Sequence, residues 1–406
     1  MRRRGPRVGI VGGSLGGLIT ALQLRDVGCE VQVFERSPMP LEGRGAGIVL
    51  HPVTVRYLQE HGLLDLAEVS SAADTLRYVR RDGEVLLDEP IAYRFTSYAT
   101  LYAALVRALE PSRYHLGREL RSFEDLTFDD PGDAVVRLRF ADGGDDEVDL
   151  LVGADGIRST VRAAMFPDVQ PRYAGYVGWR GTVDDDALPE ACGSLRGRLT
   201  YHVGDRTHVL SYEIPRPGPG STRSSMNWVW YRNVPEGAPL EDLLIDRAGV
   251  RHDLSLATGA VRDDHVAELT AAAAVLPPAF RELVRSTPEP FVQVIVDVAV
   301  PAMARGRVCV VGDAAYALRP HVAAGTAKAA ADARSLADAL SVGHGDVPAV
   351  LARWEHAQLA LGRVATARTR RVGERAQRTN SFRPGDPDVA FGLYAPKDHN
   401  FPSART

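Results

Sequence analysis

An α/β fold is predicted, with a lobe built on a parallel sheet interrupted by a lobe built on a mainly antiparallel sheet, and three observations carry the prediction. Short apolar runs at residues 8–11, 150–152 and 308–311 each end at a glycine, as buried parallel strands do when they feed a ligand-facing turn. Between residues 173 and 234 the texture changes to longer, aromatic-rich strand patterns, which suit one antiparallel sheet. Finally, 406 residues exceed what a single ordinary core organises.

The elements follow in order. Residues 8–11 form a strand, a glycine loop comes next, and 18–27 have helical spacing with Gly28 as the stop before a second strand at 31–34. A helix pattern at 53–66 is followed by two strands within 75–95 around Arg81-Asp82-Gly83, and another helix pattern fills 98–109. Two strands then flank the acidic turn 142–146. Strands at 176–183, 199–203, 208–214 and 226–231 make the antiparallel sheet; 240–288 is mostly helical, and a small-residue helix occupies 326–340. The expected division is a nucleotide lobe from 1–72, 96–172 and 291–378, a substrate lobe from 73–95 and 173–290, and a loosely packed tail, 379–406.

The chain is 45% hydrophobic and 25% charged with net charge −4, so neither disorder nor a phosphate-tracking basic face is expected, and nucleic acid is excluded as a partner. Cys29, Cys192 and Cys309 stand at unrelated spacings, which supports no disulfide framework or metal site and fits a reducing cytoplasm. No run is long and apolar enough for a membrane helix. Arg2, Arg3 and Arg4 before an apolar stretch imitate an export signal, but the glycines that follow suit a nucleotide loop better. Of 48 basic residues only Lys328 and Lys397 are lysine.

Gly12-Gly13-Ser14-Leu15-Gly16-Gly17 follows a strand and opens a helix, the context of a Rossmann-like dinucleotide fingerprint. Gly12 permits the turn, Gly17 close helix packing, and Ser14 replaces the usual middle glycine with a small hydroxyl residue beside a pyrophosphate. Glu35, at the end of the second strand, is placed to hold an adenosine ribose, with Arg36 beside it. Gly312-Asp313 ends a buried strand, where a carboxylate suits the ribityl chain of FAD. In Gly153-Ala154-Asp155-Gly156-Ile157-Arg158-Ser159, Asp155 and Arg158 are near enough to pair.

These three segments together resemble the flavin-dependent aromatic hydroxylases of the p-hydroxybenzoate hydroxylase type, over about residues 6–370. Tyr173-Ala174-Gly175-Tyr176-Val177-Gly178-Trp179-Arg180-Gly181, Arg319-Pro320-His321 and Ala390-Phe391-Gly392-Leu393 are similar to the family's dihydroxypyridine-hydroxylating branch. Tyr316, Arg319 and Ala323-Ala324-Gly325 depart from the wider family's usual His, Pro and Gly-Gln-Gly, and Tyr98 stands where its flavin-phosphate arginine is usual. The resemblance implies a Rossmann-like FAD-binding domain with an inserted antiparallel substrate domain. It also implies an NAD(P)H-dependent monooxygenase that acts through a flavin C4a-hydroperoxide on a dihydroxypyridine- or phenol-like ring. FAD, NADH or NADPH, O2 and a small aromatic substrate are the implied partners, and a homodimer is compatible.

On this reading Gly45, Gly47 and Ile48 line one approach to the flavin ring, and Pro320, Ala323, Ala324 and Gly325 the other. His321 is the first candidate for the base or polar anchor that activates a ring hydroxyl, followed by His51, with Tyr201 and Tyr212 on strands that roof the pocket. Strand alternation puts Tyr201 and His202 on opposite faces, so at most one points in. Trp228 and Trp230 are expected to pack the sheet. A non-catalytic FAD-binding protein and a flavin-linked dehydrogenase or reductase share the fingerprint. A halogenase would need a lysine in the N-terminal half, and none precedes Lys328.

Overall fold

The computed structural model describes residues 5–41, 47–126, 135–216, 223–342 and 346–401. Its first sheet has six strands in the order Ala304–Arg305, Val308–Val310, Leu150–Gly153, Arg7–Val11, Glu30–Glu35 and Tyr114–Leu116. All neighbours run parallel except the first pair. Strands Leu150–Gly153 and Val308–Val310 are buried along their whole length, which is why they read as unbroken apolar runs. Their carboxyl ends are laced together: Gly12 N–H donates to Phe34 O (2.8 Å), Ala154 N–H to Val11 O (2.8 Å) and Val311 N–H to Gly153 O (2.9 Å).

The nine-stranded sheet runs Ser255–Leu256, Phe291–Asp297, Arg172–Asp184, Ser224–Asn233, Thr207–Pro215, Leu199–Gly204, Ser71–Val79, Val85–Ser97 and Gly47–Leu50. It is antiparallel except where Leu199–Gly204 meets Ser71–Val79. Two of these strands, Gly47–Leu50 and Phe291–Asp297, were expected in the nucleotide lobe; pairing with Val85–Ser97 and Arg172–Asp184 draws both into this sheet. Short apolar strands carry no mark of the sheet they join, so sequence alone could not assign them. A third sheet, Leu120–Asp125, Val136–Phe140 and Asp145–Val148, flanks the first lobe.

Helix Leu15–Asp26 packs on helix Gly325–Val342, whose buried alanines at 327, 329, 330, 331 and 333 let the two backbones approach. Helix Val347–Gln377 spans both lobes: Glu355 accepts from Met303 N–H (2.8 Å) in the first, and Glu374 pairs with Arg319 (3.2 Å) behind the second sheet. No helix among the described residues is long and apolar enough to cross a membrane.

The expected loose tail is overturned across its described part. Val389, Phe391 and Leu393 are buried, Gly392 N–H donates to Val322 O (3.1 Å), and Phe401 N–H extends an edge by bonding Ala92 O (2.8 Å). The polar residues that look like loop composition supply turn caps instead. Asp398 accepts from Leu393 N–H (2.9 Å) and Tyr394 N–H (2.7 Å), while Arg368 donates to the carbonyls of Ala390 and Gly392.

Candidate active site

Two connected chambers run along the carboxyl ends of the parallel strands, where α/β sheets hold ligands. The outer one, about 660 Å³, lies over Gly12, Glu35, Arg36 and Asp155. The inner one, about 400 Å³, lies between Gly312-Asp313, Gly47-Ile48 and the face of the nine-stranded sheet. Ser14, Tyr98, Ala154, Gly156 and Gln293 line both, so the chambers accept one extended ligand.

The floor of the outer chamber is a backbone turn. Gly12 has φ +106°, and a Cβ there would lie 2.4 Å from Ala154 O; a Cβ on Gly17 would strike Gly12 O at 1.8 Å, so neither position tolerates a side chain. Gly17 accordingly packs behind the chamber wall rather than lining it. Glu35 is buried, its Oε2 accepting from Gly13 N–H (2.8 Å) and its Oε1 from Ser37 N–H (2.8 Å). Both oxygens keep a lone pair for a vicinal diol.

At the junction, Ser14 Oγ and Tyr98 OH lie 2.9 Å apart. Ser14 makes no side-chain cap on helix Leu15–Asp26 and no acidic residue stands in its first turn, which leaves the first-turn N–H groups without a side-chain acceptor. An anion such as pyrophosphate fits there. Asp155 does not pair with Arg158, which instead bridges to Asp253 (3.2 Å). Asp155 Oδ2 accepts from Thr160 N–H (2.7 Å) and Val161 N–H (3.2 Å), capping helix Thr160–Met165, and its buried Oδ1 has no partner among the described residues. Burial holds its pKa above the usual carboxyl value.

Asp313 opens onto the inner chamber with protein crowding its other sides. That crowding pushes its carboxyl up to about 6 against the opposing field of Lys328, although its outer face opens to the cleft. Lys328 itself is fully buried: its Nζ meets Asp332 Oδ1 at 2.5 Å, and Asp332 Oδ2 accepts from Gly312 N–H (3.0 Å). The chain's first lysine therefore pins the Gly312-Asp313 turn from behind.

The inner chamber is built from side chains. Gly47 N–H donates to Asn227 Oδ1 (3.0 Å), which ties the strand edge to the sheet, and Tyr212 stacks on Phe95 (4.3 Å). Tyr201, Tyr212, Tyr231 and Arg180 project from the sheet into the chamber. Burial raises the pKa of all three tyrosines, Tyr231 to about 12, so they are neutral hydroxyls that donate rather than bases. Leu15, Ile48, Pro320, Ala323 and Gly325 line the same chamber, whereas Ala324 is buried behind it. Ala323 takes φ +55°, a strained value for alanine, and its carbonyl accepts from His399 Nε2 (3.1 Å). Gly45 lies outside the described residues.

Both histidine candidates are corrected. His321 lies behind the wall, its Nε2 2.6 Å from the Tyr176 hydroxyl; burial, then His208 and Arg319, hold its pKa well below the ordinary value, and it does not face the chamber. The adjacent Pro320 and Ala323 line the chamber, and the 3-10 turn Pro320–Val322 rotates the imidazole away between them. His51 caps helix Pro52–Glu60, its Nδ1 accepting from Val53 N–H (3.0 Å), and its Nε2 faces Asp398 (3.1 Å). His51, Asp398 and His399 bring ligating atoms within 4.8 Å of one another, and since the cap has His51 Nδ1 as an acceptor, the neutral ring turns Nε2–H toward Asp398. Tyr201 points in and His202 away, toward Val79 O (3.0 Å); Trp228 and Trp230 pack the far side, bonding Thr287 (2.8 Å) and Thr207 (2.9 Å). Sequence reasoning missed Arg180, Tyr231, Gln293 and Phe391 as chamber residues, although Arg180 and Phe391 stand inside segments already singled out.

A nucleotide cradle joined to a compact aromatic chamber defines an FAD-binding oxidoreductase of the two-lobed α/β class. The chain belongs to the FAD-dependent monooxygenases that hydroxylate aromatic and heteroaromatic rings. A family model described as FAD binding domain-like matches residues 173–297. The chain is 38% identical to 2,6-dihydroxypyridine 3-monooxygenase of Paenarthrobacter nicotinovorans, over 95% of this chain and 96% of that one. It is 30% identical to 3-amino-4-hydroxybenzoate 2-monooxygenase of Streptomyces cremeus, over 91% and 87%. The solved 2,6-dihydroxypyridine-3-hydroxylase from Arthrobacter nicotinovorans superposes with a TM-score of 0.90 at 36% identity, covering 98% of this chain and 99% of that one. This protein is thus a flavoprotein monooxygenase with FAD as cofactor and NAD(P)H as co-substrate, and the readings as a non-catalytic flavin binder or a dehydrogenase give way.

Proposed function

We propose that the substrate is a small hydroxylated pyridine, hydroxylated at an electron-rich ring carbon. One ring C–H becomes C–OH, the second atom of O2 leaves as water, and NAD(P)H supplies two electrons. The observation that carries this reading is the sheet side of the inner chamber: three neutral phenols face the space opposite the proposed flavin-ring wall, and a ring oxygen or nitrogen is what such donors recognise. Whole-chain similarity to a monooxygenase named for 2,6-dihydroxypyridine supports it.

FAD, when bound, supplies the electron transfer and oxygen activation. Glu35 would hold the adenosine ribose, with Arg36 beside the adenosine; the first turn of helix Leu15–Asp26 with Ser14 would hold the pyrophosphate, and Asp313 the ribityl hydroxyls. Asp155 borders the adenosine end. Gly47 and Ile48 on one side and Pro320, Ala323 and Gly325 on the other would flank the ring, where the N-terminus of helix Gly325–Val342 favours negative charge. Tyr201 and Tyr212 orient the substrate by donating to it, and Phe391 from the folded C-terminal segment excludes water. Three buried free cysteines support a reducing cytoplasm.

The test is a substrate screen of the FAD-loaded protein with 2,6-dihydroxypyridine, 6-hydroxynicotinate and salicylate, following oxygen uptake and product mass. Stimulated NAD(P)H oxidation with a product 16 mass units heavier is expected for the dihydroxypyridine. Turnover of salicylate alone would refute the pyridine assignment.

A further inference from the structure

We infer that Arg180 is the anchor for an ionised ring oxygen, so that this enzyme selects its substrate as an oxyanion; the inference rests on the reading of the inner chamber as the substrate site. Arg180 lies on strand Arg172–Asp184, paired with Val229 on one side and Phe291 on the other, in the middle of the nine-stranded sheet. Its side chain shares the chamber face with Gly178, two residues back. Gly178 sits opposite Tyr231 and Gln293, and a Cβ there would lie 3.4 Å from the Tyr231 ring.

The charge pattern identifies the occupant. Among the described residues lining the inner chamber only Arg180 and Asp313 are charged, and Asp313 belongs to the parallel-sheet side. The buried arginines among the described residues are all bonded: Arg319 to Asp297 (2.9 Å), Arg162 to the carbonyls of Ile157 (2.6 Å) and Ala314 (3.1 Å), and Arg368 to that of Gly392 (2.9 Å). Arg180, half-buried against Tyr212 and Tyr231, has no hydrogen bond or carboxylate partner among the described residues. A half-buried guanidinium among aromatic rings with no protein acceptor is a ready partner for an anionic ligand. The surrounding phenols are donors, so the complementary group is an acceptor carrying negative charge. An ionised ring hydroxyl also gives the ring carbon the electron density that hydroxylation requires.

Binding to the FAD-loaded protein by calorimetry tests this, with three ring-hydroxyl ligands that the proposal binds as ring oxyanions (2,6-dihydroxypyridine, 6-hydroxynicotinate, salicylate) and their O-methyl ethers, in which that oxygen cannot ionise, beside FAD affinity of the apoprotein. For the tightest anion, Arg180→Gln should raise the Kd by about 10- to 100-fold, the range for a lost charged hydrogen bond. The ether should change less than about 3-fold, FAD affinity should hold, and Arg180→Lys should recover part of the loss. A carboxylate anchor would show as benzoate matching the hydroxylated acids, which contradicts the ring-oxygen assignment. Equal weakening of anion and ether, a fall in FAD affinity, an unchanged Kd, or no binding by any of the three anions would each overturn the proposal. Failure of the pyridine assignment alone would appear differently, as an Arg180-dependent preference for salicylate.

Discussion

The two ends of the cleft are made of different materials. At the proposed nucleotide end the surfaces set to meet the phosphates and ribityl chain are backbone turns, at Gly12, the start of helix Leu15–Asp26 and Gly312, with Glu35 and Asp313 beside them, while side chains such as Arg36, Arg118 and His252 line only the outer walls. At the substrate end the surface is side chain, with Arg180, Tyr201, Tyr212, Tyr231 and Gln293 drawn from five strands of one sheet. Backbone surfaces are set by a few contiguous residues, whereas side-chain surfaces depend on which strands become neighbours. Damage to the first should therefore cost cofactor and fold, and damage to the second only selectivity and turnover.

The largest effect is expected at Lys328. Lys328→Met leaves Asp332 buried without its cation and should destabilise the protein by about 3–5 kcal/mol, read from denaturant unfolding. An unchanged midpoint would mean that the pair does not brace the Gly312 turn. Glu35→Gln comes next: FAD affinity of the apoprotein should fall about 10-fold or more, while the calorimetric Kd of substrate for FAD-saturated protein stays put. Loss of substrate affinity at saturating FAD would break the separation between the ends. Tyr212→Phe is the converse, a fall of about 10-fold in kcat/KM with FAD affinity unaltered, and the opposite pattern would reassign that hydroxyl to the cofactor.

The smallest effect concerns Asp313. Its carboxyl is raised from 3.8 to about 6, so the folded state binds the proton more tightly than the unfolded chain. Stability is favoured below about pH 4 and declines as pH rises toward 6. Asp313→Asn should flatten that decline in thermal scans of the apoprotein while weakening FAD binding. A decline equally steep in the variant would assign the pH dependence to another group.

The nucleotide end was legible because its determinants are local. A strand, a glycine turn and a helix within about thirty residues bring Gly12, Ser14 and Glu35 together, and their order in the chain is their order in space. The aromatic strands of the second lobe were legible as strands, and alternation correctly separated Tyr201 from His202. Their partners were not. His321 looked catalytic because its neighbours in sequence line the chamber, yet the turn at Pro320–Val322 hides its ring against Tyr176. The segment after Arg378 looked loose because aspartate and proline are the same in a cap as in a coil; only contact with Val322, Ala92 and Arg368 distinguishes the two.

Residue order by itself determined the strand ends, the glycine turns and the carboxylates beside them, because turn conformation and helix start are decided by neighbours in the chain. Tertiary structure decided the rest. It placed Gly47–Leu50 and Phe291–Asp297 in the antiparallel sheet, left Arg180 facing the chamber without a counter-ion among the described residues, and folded Phe391 into its wall. Those outcomes rest on pairings across tens to hundreds of residues, such as Gly47 with Ser97 or Gly392 with Val322. Such pairings are selected by burial and hydrogen-bond satisfaction of the whole molecule, and no local pattern encodes them.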